Sequence, residues 1–294
     1  MRGRRNALRA IWVLLGLLWV GFAAASGVPF DKGLLFEVRG ENGNPNYLFG
    51  TIHSEDPRVL ALPTPVQDAF DGARGFVMEV IPDSAAVIKS MMGMVFTDGR
   101  CLKDVIGMPL YSDTLKAMKS RGMSEAAIKD FKPWAVVTLL SLPPAETGQF
   151  LDMQLYKDAL ADGKAVTGLE TIDEQLGVFD DLSEQDQIAL LRETLQAQDE
   201  LPEVFTRLIG AYLERDLGEL MRLSELYLQG GDTALAERFR TAALDRRNRR
   251  MADRLTSLLE KGGYFVAVGA LHLPGEGGVL QRLVDAGFSV RAVY

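Results

Sequence analysis

The chain has two histidines in 294 residues, and each closes a four-residue phrase of the same form. The first is Gly50-Thr51-Ile52-His53 and the second Gly269-Ala270-Leu271-His272. Imidazole is the side chain best suited to proton transfer near neutral pH and the commonest metal ligand. Both phrases follow apolar runs that read as strands, so the two rings are expected to serve one site. Two carboxylates have comparable settings. Glu79 is the one charge within the apolar run Gly75–Val80, where an unpaired charge is costly, and Glu170 follows the strand-like run 164–168. Two imidazoles with one or two carboxylates suit a divalent metal, with Mn, Co and Zn the candidates. Such a centre activates water and polarises a carbonyl, and a spare carboxylate serves as general base. Each residue also has a plainer reading: a hydrogen-bonded histidine, a salt-bridged Glu79, a Glu170 placed by a helix N-terminus.

The elements that must position these residues alternate strand and helix. Residues 34–38 and 47–51 read as two arms of a hairpin about the turn-rich 41–46. A helix follows from 62 to 73, then the strand 75–80. Residues 83–162 read as mostly helical, including 151–160, and 172–261 as helical again. Residues 264–268 form a strongly apolar strand, and a helix at 279–284 precedes a last strand at 288–294. This pattern predicts an α/β fold, a central mixed sheet with large helical insertions. Ligands of open α/β sheets bind outside the carboxyl ends of the strands, and a sheet with these ends on one side would gather His53, Glu79, Glu170 and His272. The glycine three residues before each histidine permits close packing or unusual φ. The methionines at 91, 92, 94 and 108 read as adaptable core filler. The basic run Arg246, Arg247, Arg249, Arg250 and Arg254 reads by default as a solvated helix face.

The amino terminus reads as an address. Arg2, Arg4, Arg5 and Arg9 precede an apolar stretch from Ala10 to Ala25, and small residues follow at 23–27. Residues 1–26 fit a secretory signal peptide, with an uncleaved anchor as the alternative. Residues 27–294 are then one domain, expected in the periplasm or secreted, touching membrane only through an uncleaved leader. Cleavage moves the formal charge from −8 to −12, a poor balance for binding nucleic acid. The single Cys101 excludes an intramolecular disulfide and reads as a structural or incidental thiol.

A set of phrases then suggests a family. Residues 47–53, Leu62-Pro63, Val77-Met78-Glu79-Val80, Phe150-Leu151-Asp152, Gly168-Leu169-Glu170-Thr171 with Glu174-Gln175, Arg247-Asn248 and residues 268–272 occur in the order found in TraB/GumN proteins, which the chain resembles. The resemblance implies a fold related to the Tiki metalloproteases and to ChaN-like and erythromycin-esterase-like proteins. It implies His53, His272 and Glu79 as metal or catalytic residues. Arg247 would clamp a carboxylate or phosphate, Asn248 would orient substrate or water, and Glu170 matches a further family position. The expected function is an exported metal-dependent hydrolase of peptide or small acyl substrates. The alternatives are a non-catalytic binder of a peptide or surface component, and an esterase-type hydrolase.

Overall fold

The structure is a computed structural model that describes residues 27–41, 43–143, 147–228 and 232–294. The leader assigned to residues 1–26 lies outside the described residues. Six strands form one mixed sheet: β1 (Leu35–Arg39), β2 (Asn46–Thr51), β3 (Gly75–Met78), β4 (Ala165–Gly168), β5 (Tyr264–Gly269) and β6 (Ser289–Ala292). Their order is β4-β3-β5-β2-β1-β6. β4, β3, β5 and β2 are mutually parallel, whereas β1 runs antiparallel to both β2 and β6. The α/β fold with a mixed sheet and long helical insertions is therefore as the alternation predicts. Among the described residues no helix is long and apolar enough to cross a membrane.

The parallel part is buried on both faces, which is why β5 reads as an unbroken apolar run rather than an alternating one. Val266, Ala267 and Val268 are sealed in it, with Phe265 at its centre. The Phe265 ring meets Phe49, Phe70 and Phe76 at centroid separations of 5.9, 5.4 and 6.4 Å. Phe70 comes from the helix Thr64–Asp71, whose buried face is Val66, Ala69 and Phe70. At the other end of the sheet the Asn46 amide is fully buried. Its Nδ2 donates to the carbonyls of Val38 and Leu259, and its Oδ1 accepts from Tyr264 N–H. Those bonds tie the start of β5 to the hairpin and fix the β2–β5 register of Tyr47 opposite Phe265.

A second hydrophobic cluster lies in the helical insertions. Leu102, Met118, Ile128, Leu140 and Leu191 are buried there, on four helices that pack on one another. Cys101 caps one of them and places its thiol 2.9 Å from Asp104 Oδ2, a local structural role. The methionine expectation is corrected: Met91, Met92 and Met108 are exposed and Met94 is only half-buried. The helix Ser84–Gly93 buries no side chain, and Val87, Ile88, Met91 and Met92 stand exposed on it.

Phe265→Ala removes the ring on which three other aromatic side chains converge. It is expected to lower the unfolding free energy by about 3–5 kcal/mol, measured by denaturant titration with the slope unchanged.

Candidate functional site

Four parallel strands end on the same edge, and the side chains that follow them meet there. His53 lies two residues beyond β2, Glu79 directly follows β3, Glu170 lies two residues beyond β4, and His272 ends a 3-10 turn that follows β5. His53, Glu79 and His272 line one cavity of about 610 Å³ with Arg247 and Asp152. The remaining lining is largely apolar, with Val87, Met153, Leu208, Leu220 and Leu244 among it. The two motif glycines make this approach possible, and neither takes a positive φ. A Cβ at Gly50 would lie 3.1 Å from Ala270 Cα, so this glycine lets the two phrases pack together. A Cβ at Gly269 would lie 3.3 Å from Glu79 Oε1, the atom to which Gly269 N–H donates at 2.7 Å. Close approach, not unusual φ, is the reason for both.

The helix Arg246–Leu259 supplies the cationic half of the site. Asn248, Met251, Leu255 and Leu259 form its buried stripe, while Arg247, Arg250 and Arg254 lie beside that stripe on successive turns. Arg246, Arg249 and Arg254 of this run are exposed, Arg254 while paired with Glu174, so the solvated-face reading fails for Arg247 and Arg250. Arg247 donates from Nε and Nη2 to Glu170 Oε2, at 2.9 and 2.7 Å, and from Nη2 to Glu79 Oε2 at 2.5 Å. Arg250 pairs with Glu170 Oε1 at 2.9 Å. Arg254 holds Glu174 through two bonds of 2.8 Å and donates to the Leu169 carbonyl. The Glu170 side chain is 0% exposed, which an ionised carboxylate tolerates only with such partners. Glu174 also completes a capping box with Thr171 at the next helix. A π turn, Thr241–Asp245, directly precedes the helix and contributes Ala243 and Leu244 to the cavity wall. Its extra residue resets the helical phase just before Arg247 and Asn248, as π turns at functional sites often do.

His272 and Glu79 form the centre. His272 is buried, and its Nδ1 lies 2.6 Å from Asn248 Oδ1. The Asn248 amide nitrogen is committed to the Gly277 carbonyl, so its oxygen faces the ring and Nδ1 carries the hydrogen. Nε2 therefore keeps its lone pair and stands 3.8 Å from Glu79 Oε1. Burial pushes the His272 imidazole down to about 4, with Glu79 opposing the shift. Burial acts on Glu79 in the other direction, but the charges of His272 and Arg247 and the Gly269 N–H outweigh it and hold the carboxyl at about 2. Near neutral pH the pair is thus a neutral imidazole beside a carboxylate. Gln175 adds a 3.2 Å bond to Glu79 Oε2.

His53 sits apart from this network although it lines the same cavity. Its side chain is 61% exposed, stacks on Phe150 with centroids 5.3 Å apart, and places Nδ1 3.6 Å from Asp152 Oδ2. Thr51 Oγ1 donates to Asp152 Oδ1 at 2.6 Å. Glu79, Glu170 and Arg247 thus form one hydrogen-bonded group and His272 with Asn248 another, the two meet in one assembly at the 3.8 Å approach of His272 to Glu79, and His53 faces it from the cavity mouth. Among the described residues, no three His, Cys, Asp or Glu side chains already stand in a single coordination sphere. Sequence reasoning assigned no role to Asp152, Gln175, Thr51 or Arg250. Each lies within or beside a phrase the family resemblance quotes, and that adjacency was the available signal.

Two outcomes follow from the charge arrangement. Arg247→Met leaves two largely buried carboxylates without their shared partner and is expected to cost about 3–5 kcal/mol, read by chemical denaturation at neutral pH. Acid should destabilise the fold in two windows. Unfolded chains take up a proton at histidine near 6.5 whereas His272 resists it until about 4, so stability is lost as pH falls between those values. The contribution of Glu79 is complete above 4.5 and disappears toward about 2. His272→Gln should abolish the upper window and narrow the lower one, because the His272 charge is part of what holds Glu79 down, in stability-versus-pH measurements.

No curated protein and no solved structure matches the chain. The model of the TraB/PrgY/gumN family matches residues 34–292, which takes in all six strands and every residue of the assembly. The chain belongs to the TraB/PrgY/gumN family.

Proposed function

We propose that the chain is an exported metal-dependent hydrolase acting on peptide or related small acyl bonds. The observation that carries this reading is the centre itself. A neutral His272 with its Nε2 lone pair bare faces an ionised Glu79, and His53 opens onto the same cavity. The donor chemistry fits a divalent cation. Imidazole nitrogen and carboxylate oxygen suit Mn, Co or Zn, and Glu79 Oε1, which accepts only the Gly269 N–H, retains a lone pair on the His272 side. His272, Glu79 and His53 would hold the ion. When bound it would supply an activated water and polarise the scissile carbonyl.

The other residues have roles in this reading that differ from simple substrate contacts. Asn248 fixes the His272 tautomer, as partners of metal-bound histidines commonly do. Arg247 spends two of its nitrogens on Glu79 and Glu170, so it braces the carboxylates and keeps Glu79 anionic rather than gripping substrate. A carboxyl held at about 2 is a weak proton acceptor near neutrality, which favours Glu79 as ligand over Glu79 as general base. The apolar walls would receive apolar substrate side chains. The same walls, with the exposed apolar helix Ser84–Gly93 at their edge, also suit a non-catalytic binder of an apolar peptide. The esterase alternative shares the centre and differs only in the acyl bond attacked. Export rests on the leader pattern of residues 1–26.

The test uses protein purified without chelator or histidine tag. The wild type is expected to carry a divalent ion by elemental analysis and to cleave a peptide library in a metal-stimulated way. His53→Ala and His272→Ala should each lose both properties. Equal metal in all three proteins would sink the assignment, and metal binding without turnover of peptides or esters would favour the binder.

A further inference from the structure

Among the described residues, Asp152 is the cavity side chain with a sealed polar atom left unpartnered. It lies in the helix Leu151–Ala161, beneath the exposed His53 ring. Its Oδ1 is spent on the Thr51 hydroxyl. Its Oδ2 is sealed from solvent and has no hydrogen-bond partner among the described residues. A buried carboxylate oxygen without a donor is costly, and this one is out of reach of bulk water. The facing donor is His53 Nδ1, 3.6 Å away. That separation exceeds a hydrogen bond, but catalytic hydrogen bonds are commonly long until the ligand arrives. Thr51 belongs to the same phrase as His53, so β2 positions both the ring and the hydroxyl that aims the carboxylate at it. Phe150, the residue before the helix, stacks on the ring and restricts its tilt.

We infer that Asp152 is the positioning residue of His53: it accepts the Nδ1 hydrogen and leaves Nε2 bare toward the cavity. The two histidines then share one design. Each has Nδ1 held by an acceptor from a helix, Asn248 for His272 and Asp152 for His53, and each offers Nε2 to the cavity. The acceptors differ in charge, a neutral amide beneath the buried ring and a carboxylate beneath the exposed one. For its chemical purpose the inference rests on the proposed hydrolase, because it supplies the second imidazole in ligand form. Its structural content stands on the geometry of residues 51, 53, 150 and 152 alone.

The presence of only two histidines makes the test direct. Long-range proton–nitrogen correlation spectra of the full-length chain, freed of metal, contain two imidazole patterns, assigned with His53→Ala. At a single alkaline pH, His53 is expected as the Nδ1–H tautomer, not the Nε2–H form that a free ring prefers. In Asp152→Asn the single amide oxygen goes to Thr51 and the NH2 group faces the ring, so His53 should change to the Nε2–H form. The His272 pattern should be unchanged, which also reports that the variant is folded. Asp152→Leu, which removes both oxygens, should give the same change. Affinity for added Mn or Zn should fall about 10- to 100-fold in Asp152→Asn. An Nε2–H tautomer in the wild type, an unaltered tautomer in both variants, or unchanged metal affinity would overturn the inference. A wild type that takes up no metal would sink the hydrolase reading instead and leave the tautomer result to be judged separately.

Discussion

Arg247 joins two carboxylates that could not otherwise share the edge of this sheet. Glu79 and Glu170 follow the neighbouring parallel strands β3 and β4, and backbone bonds from Leu169 N and Glu170 N to Met78 and Glu79 hold those segments together beyond the strands. Side by side and mostly buried, the two charges would repel each other and carry a desolvation cost. One guanidinium bonded to both offsets this, and Arg250 and Arg254 continue the alternation outward to Glu174. Because Arg247 is always charged, Glu79 stays ionised beside a neutral His272. The electrostatic character of the centre follows from that bridge together with the burial of His272 and the Gly269 N–H on Glu79.

The backbone around the bridge is arranged to bring it into place. Parallel strands put their carboxyl ends on one edge, so residues separated by more than two hundred positions in sequence arrive together. Two glycines set the closest approaches, one letting the histidine phrases touch and the other admitting the Glu79 carboxylate against β5. From the helical layer, the π turn sets the phase with which Arg247 and Asn248 enter. Arg247 and Asn248 are adjacent in sequence and lie on different stripes of the helix. One reaches the carboxylates while the other reaches the imidazole. The second hydrophobic cluster, in the insertions, is built from different helices and leaves the cavity walls to the segments nearest the sheet.

The two histidines stand in different surroundings despite their matching phrases. His272 is buried, neutral and locked by Asn248, whereas His53 is exposed, stacked on Phe150 and set over a buried carboxylate. The difference comes from what each strand end meets. β5 is central and its turn falls into the core, while the segment after β2 leaves the sheet toward the cavity mouth and the helix Leu151–Ala161.

Much of this was legible from residue order. The strands could be read because buried parallel strands are unbroken apolar runs, and the hairpin because turn residues separate its arms. The four residues at strand ends could be singled out because histidine is so scarce and because carboxylates next to apolar runs demand partners. Family membership was legible for a related reason, since short phrases in a fixed order survive as local patterns. The partners of those residues were not legible. That Arg247, Arg250 and Arg254 face carboxylates while Arg246 and Arg249 face water depends on the helix phase that a π turn resets, and on where β4 lies beside β3. The orphaned oxygen of Asp152 depends on which side chains cover it. Periodicity and composition describe what a segment is, but hydrogen bonds, burial and proton affinities belong to pairs of segments. For this chain those pairs are formed only when the parallel sheet closes.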